Sequence, residues 1–121
     1  MSCLFRSLSY FIKENTQVIR QKICVYLENN NTIIDGIDTK KILKMEGKSN
    51  YTKNMRKSST WGGAIEIQAA CNIWNLKCIV RNIRNRKGRD IEFLPVNGGK
   101  IKKTIVITWN GNHYEPVRKL F

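Results

Sequence analysis

The chain has 121 residues, 41% of them hydrophobic, which is enough for one compact core and excludes both wholesale disorder and a second independent domain. Its 22 Lys and Arg against 9 Asp and Glu leave a net charge of +13. That excess favours acidic partners, so weak contact with nucleic acid or an anionic surface is an expectation, beside plain solvation of a small domain. No apolar run approaches the ~20 residues of a membrane span. The opening Met1-Ser2-Cys3-Leu4-Phe5-Arg6 has neither a basic leader nor a long apolar segment, so no signal peptide is read and a cytoplasmic location is expected.

In chain order, Leu4, Leu8 and Phe11 keep a three-to-four residue period, which predicts a helix starting at or just after Cys3. Asn15 or Thr16 is placed to cap a second helix with the stripe Ile19, Ile23, Tyr26 and Leu27, ended by Asn29-Asn30-Asn31. Residues 32 to 60 are polar, with shorter helical pieces expected at Thr39 to Met45 and Tyr51 to Arg56. Thr60 is expected to cap a helix entered through Trp61-Gly62-Gly63, with Ile65, Ala69 and Ile73 on one face. Strands follow: Cys78 to Arg81, and Asp90 to Leu94 pairing with it across the basic turn Asn85 to Gly88. Asn97-Gly98-Gly99 marks a turn. Thr104 to Trp109 then alternates Ile105, Ile107 and Trp109 against Val106 and Thr108. Helices in front and strands behind predict an α+β fold in a single domain over residues 1–121.

Four cysteines (Cys3, Cys24, Cys71, Cys78) and one histidine (His113) offer too few ligands for a closed zinc site, and the irregular spacing contains no CxxC pair. Cys24, Cys71 and Cys78 lie beside apolar residues and read as core. Cys3 differs, because it stands where a helix begins. A free thiol titrates at about 8.5, so only a few per cent is thiolate at neutral pH. A helix N-terminus and a nearby imidazolium both stabilise the thiolate. His113 is the available base, and it could later protonate a leaving amine. A third polar group must fix the imidazole tautomer. In extended chain, residues two apart share a face, which selects Glu115; Asn112 points the other way unless the turn rotates it.

These residues sit in blocks that resemble a known family. Cys3-Leu4-Phe5-Arg6-Ser7-Leu8 is similar to the nucleophile segment of the OTU (ovarian tumour) deubiquitinases. Tyr51, Met55-Arg56, Ser59-Thr60-Trp61-Gly62-Gly63 and Glu66 resemble that family's central block. Trp109-Asn110-Gly111-Asn112-His113-Tyr114-Glu115 resembles its closing block. The resemblance implies a papain-like OTU cysteine protease fold, a small mixed β-sheet flanked by helices, with no metal or cofactor. It implies hydrolysis of the peptide or isopeptide bond after ubiquitin's C-terminal glycine, with ubiquitin or polyubiquitin conjugates as partners.

Residue by residue, the resemblance makes Cys3 the nucleophile, His113 the general base and Glu115 the orienting group, where the family more often has Asp or Asn. Trp61, Gly62, Gly63 and Glu66 read as architectural, with Glu66 satisfying nearby backbone donors. Trp109, Asn112 and Tyr114 are assigned to substrate binding. Trp109 and Tyr114 flank a channel for the Gly-Gly tail or, equally, serve as core aromatics. The family carries an Asp-Gly-Asn-type stretch before the nucleophile that helps build an oxyanion hole; only Met1-Ser2 stand here. Loss of one such donor costs ~10²–10³ in rate. The alternatives are therefore a catalytically weakened ubiquitin-binding protein and, from charge alone, a basic nucleic-acid-binding module.

Overall fold

The computed structural model describes residues 3–29, 51–57, 60, 62–83, 90–96 and 100–117. Within them lie helices α1 (Cys3–Ile12), α2 (Thr16–Glu28), α3 (Tyr51–Met55) and α4 (Ala64–Trp74). The strands are β1 (Leu76–Asn82), β2 (Ile91–Phe93), β3 (Lys103–Trp109) and β4 (Tyr114–Pro116). The expected helix at Thr39 to Met45, the turns at Asn85 to Gly88 and Asn97 to Gly99, and Trp61 lie outside the described residues.

Helix α1 begins at Cys3 because the apolar period begins there. Leu4, Phe5, Leu8 and Phe11 are all buried in the core, each full burial contributing about 1.5–3 kcal/mol. The helix stops where Lys13 takes a left-handed φ of 63°. Beyond the stop, Lys103 Nζ reaches from β3 to the Phe11 carbonyl at 2.9 Å, a cation placed where a helix C-terminus favours one. Helix α2 is capped as expected: the Asn15 side chain accepts from the Gln17 N–H at 2.9 Å.

One buried charged residue of α2 falls outside its predicted apolar stripe. Arg20 is fully enclosed. Its guanidinium lies 4.1 Å from the Phe5 ring centroid and donates to the Met55 carbonyl at 2.7 Å. Burial lowers its pKa, while the charges of Cys24 and Glu66 oppose that shift. A single cation thus ties α1, α2 and α3 together.

The expected cap of α4 needs correction. Its N-cap is Gly63, not Thr60, and Glu66 Oε1 accepts from the Gly63 N–H at 2.7 Å. The Thr60 hydroxyl instead donates to the Asn54 carbonyl at 2.6 Å. The late start has a steric reason. Gly62 passes so close to α1 that an added Cβ would stand 2.8 Å from Leu4 Cδ2 and 2.9 Å from Phe5 Cε2. Glu66 thus satisfies a backbone donor, as its sequence position suggested.

The sheet runs in the order β2-β1-β3-β4. Strands β1 and β3 are parallel from Leu76 opposite Lys103 to Asn82 opposite Trp109, while both edge pairs are antiparallel. It is the mixed sheet expected, with β1 longer at both ends than Cys78 to Arg81. Val106 is buried like Ile105 and Ile107, so the central strand is covered on both faces over its middle. Strand β4 was not anticipated. Three residues containing a proline carry little pattern, and such a segment suits only an edge. Its position matters, because it brings the far end of the chain to the start of α1.

Candidate active site

Cys3 occupies the first position of α1, and its side chain is covered by the strand that ends the described chain. The Tyr114 N–H donates to Cys3 Sγ at 3.5 Å. This contact joins residues 111 positions apart, and it brings the segment that carries His113 to the wall of the cleft that Cys3 lines. Cys3, Arg6, Ser7, Tyr10, His113 and Glu115 share one cleft of ≈ 660 Å³. Cys3 is 5% exposed and lines that cleft. Its carbonyl accepts from the Ser7 hydroxyl at 2.9 Å.

Glu115 stands two residues beyond His113 on the extended β4 segment, and the two side chains meet as that spacing predicted. His113 Nε2 lies 3.4 Å from Glu115 Oε1. Both remain in contact with solvent, the carboxylate the more so, which screens the pair. The turn before β4 is built by Asn110, whose Oδ1 accepts from the N–H groups of Asn112 and His113.

Of the other candidates, Tyr114 lines the cleft and packs against the core, where burial raises its pKa, with the charges of Cys3, Glu66 and Cys78 adding to the shift. Trp109 pairs with Tyr114 across the hairpin and rests on the core. Asn112 sits exposed in the turn. Cys24, Cys71 and Cys78 are buried and free. Desolvation pushes the Cys24 thiol up to about 11 and Cys71 to about 12, with Cys78 raised as well. Groups so reluctant to ionise make poor nucleophiles at neutral pH, which leaves Cys3 as the reactive candidate.

Reading the sequence for its apolar stripe passed over the opposite stripe of α1. Arg6, Ser7 and Tyr10 follow Cys3 at helical spacing and form one wall of the cleft. That spacing was the available signal. A second groove of ≈ 590 Å³ lies on α2 among Val18, Val25, Tyr26 and Ile73. None of the described residues that line it is a cysteine or a histidine.

The family model for the OTU-like cysteine protease matches residues 2–115. The chain belongs to the OTU family of cysteine proteases. Among curated OTU proteins, a ubiquitin thioesterase of Xenopus laevis, OTU1, is 27% identical over 129 aligned positions covering 99% of this chain. An ovarian tumour domain-containing deubiquitinating enzyme of Arabidopsis thaliana is 32% identical over 65 positions, 53% of this chain. The chain spans 38% and 26% of the lengths of these two relatives. An OTU domain solved in complex with ubiquitin superposes with a TM-score of 0.73 at 26% identity, over 95% of this chain and 62% of that one. The OTUD1 OTU domain shares the fold, with a TM-score of 0.68 at 13% identity over 95% of this chain and 77% of that one.

Proposed function

We propose that this OTU chain is a thiol-dependent ubiquitin peptidase and isopeptidase that cleaves after the C-terminal glycine of ubiquitin. The observation that carries the reading is the Tyr114–Cys3 hydrogen bond, which ties the residue after the chain's only histidine to a cysteine at a helix N-terminus. Ubiquitin as substrate is supported by the relatives, whose names describe a ubiquitin thioesterase and a deubiquitinating enzyme, and by the OTU domain solved with ubiquitin.

In this mechanism the Cys3 thiolate attacks the carbonyl carbon of the terminal glycine, and the helix terminus favours the negative sulfur. With Nε2 engaged by Glu115, Nδ1 is the nitrogen of His113 left to exchange protons. It takes the thiol proton and delivers it to the departing lysine amine as the tetrahedral intermediate collapses to a thioester. The same nitrogen then deprotonates a water, which attacks the thioester, frees the carboxylate and returns the sulfur. The sulfur and imidazole need not touch in the resting chain, because catalytic hydrogen bonds often tighten only with substrate bound.

The direct test is a ubiquitin probe with an electrophile at its C-terminus. Wild-type protein becomes covalently labelled at Cys3, and Cys3→Ala does not. A folded wild-type chain that takes no label would overturn the reading.

A further inference from the structure

The turn that carries His113 is organised by one side chain. Asn110 Oδ1 accepts the main-chain N–H groups of Asn112 at 2.9 Å and of His113 at 2.7 Å. The Asn110 N–H in turn donates to the His113 carbonyl at 3.2 Å. The His113 backbone is therefore gripped at both its N–H and its C=O. Gly111, with φ of 105°, permits the tight reversal this requires.

The His113 carbonyl and the Tyr114 N–H belong to one planar peptide unit. Its oxygen is fixed on Asn110, so its N–H points the opposite way, where Cys3 Sγ accepts at 3.5 Å. One rigid amide spans from the turn to the thiol, and the imidazole hangs from the same backbone.

We propose that Asn110 is the positioning residue of this site: it sets the His113–Tyr114 peptide so that the imidazole and the Tyr114 N–H both address Cys3. The inference rests on the reading of Cys3 and His113 as nucleophile and base. Its chemistry follows from hydrogen bonding. A donor aimed at an ionised acceptor is stronger than one aimed at a neutral acceptor, so the Tyr114 N–H favours thiolate over thiol.

Among the described residues, the titratable and charged groups that share the cleft with Cys3 are Arg6 and Tyr10 on α1, with His113, Tyr114 and Glu115 at β4. Glu66 of α4 and Cys78 of β1 act on Tyr114 from the core side. Asn110 is uncharged, and Asn110→Ala leaves all of these groups in place, so its effect on the thiol travels through geometry.

The experiment compares wild type, Asn110→Ala and Asn110→Asp by two readouts. One is hydrolysis of a fluorogenic C-terminal amide of ubiquitin; the other is the pH profile of Cys3 alkylation by iodoacetamide, read by mass spectrometry without ubiquitin. Asn110→Ala is expected to lower kcat by ~10–100-fold with KM within about twofold, and to move the alkylation profile to higher pH. Asn110→Asp keeps an acceptor oxygen and restores most of kcat. A folded Asn110→Ala protein with wild-type kcat and an unshifted profile overturns the proposal, as does a loss confined to KM. If wild type hydrolyses no ubiquitin amide, the functional reading fails by itself, and the alkylation profile still decides the role of Asn110.

Discussion

The Tyr114 N–H donates to Cys3 Sγ across 3.5 Å, closing the chain's far end onto the first turn of its first helix. Around that bond, Cys3, His113 and Glu115 gather in one cleft. The consequences can be measured.

Glu115 touches His113 at 3.4 Å, yet its carboxylate is 68% exposed. A buried triad aspartate is worth ~10⁴ in kcat, but an exposed partner is screened and partly replaceable by water. Glu115→Ala is therefore expected to lower kcat by only about 10-fold. Raising ionic strength should narrow the difference between variant and wild type. Steady-state kinetics at two salt concentrations check both statements.

Gly62 leaves no room for a side chain against Leu4 and Phe5, the two residues that follow Cys3. Gly62→Ala is expected to cost about 1–3 kcal/mol by overpacking and to displace the first turn of α1. Loss of probe labelling should accompany the fall in denaturation midpoint. A variant as stable and as readily labelled as wild type contradicts this contact.

Arg20 is buried against Phe5 and within the field of Glu66. Losing its donor to the Met55 carbonyl together with its packing on Phe5 costs about 3–5 kcal/mol. Arg20→Ala should fall in that range. Arg20→Met combined with Glu66→Gln should cost less than the two single changes added together. A double-mutant cycle in urea measures the difference.

The buried thiols make stability decline in alkali. Burial raises the Cys24 thiol to about 11 and the Cys71 thiol to about 12. Between pH 9 and these values the folded chain keeps protons that the unfolded chain has released, so unfolding becomes easier as pH rises. The contribution is fully present below pH 9 and is lost as pH climbs through the folded values. Cys24→Ala should flatten the decline relative to wild type, as read from denaturation midpoints across that window. The same ordering predicts that iodoacetamide modifies Cys3 first in native protein and the other three cysteines only on unfolding.

Local pattern carried much of the fold. The period of Leu4, Leu8 and Phe11 placed α1, Asn15 capped α2, and the alternation through Ile105 and Ile107 placed β3. These features depend on neighbours along the chain, so they can be read there. The spacing of His113 and Glu115 was legible for the same reason, since two residues of extended chain share a face. What tertiary structure decided is contact across long separations. The parallel pairing of β1 with β3, the burial of Arg20 under Phe5, and the late start of α4 where Gly62 crosses α1 all depend on surfaces meeting in space. No local period encodes such meetings. Cys3 and His113 stand 110 residues apart, and only the edge position of β4 against α1 makes them neighbours.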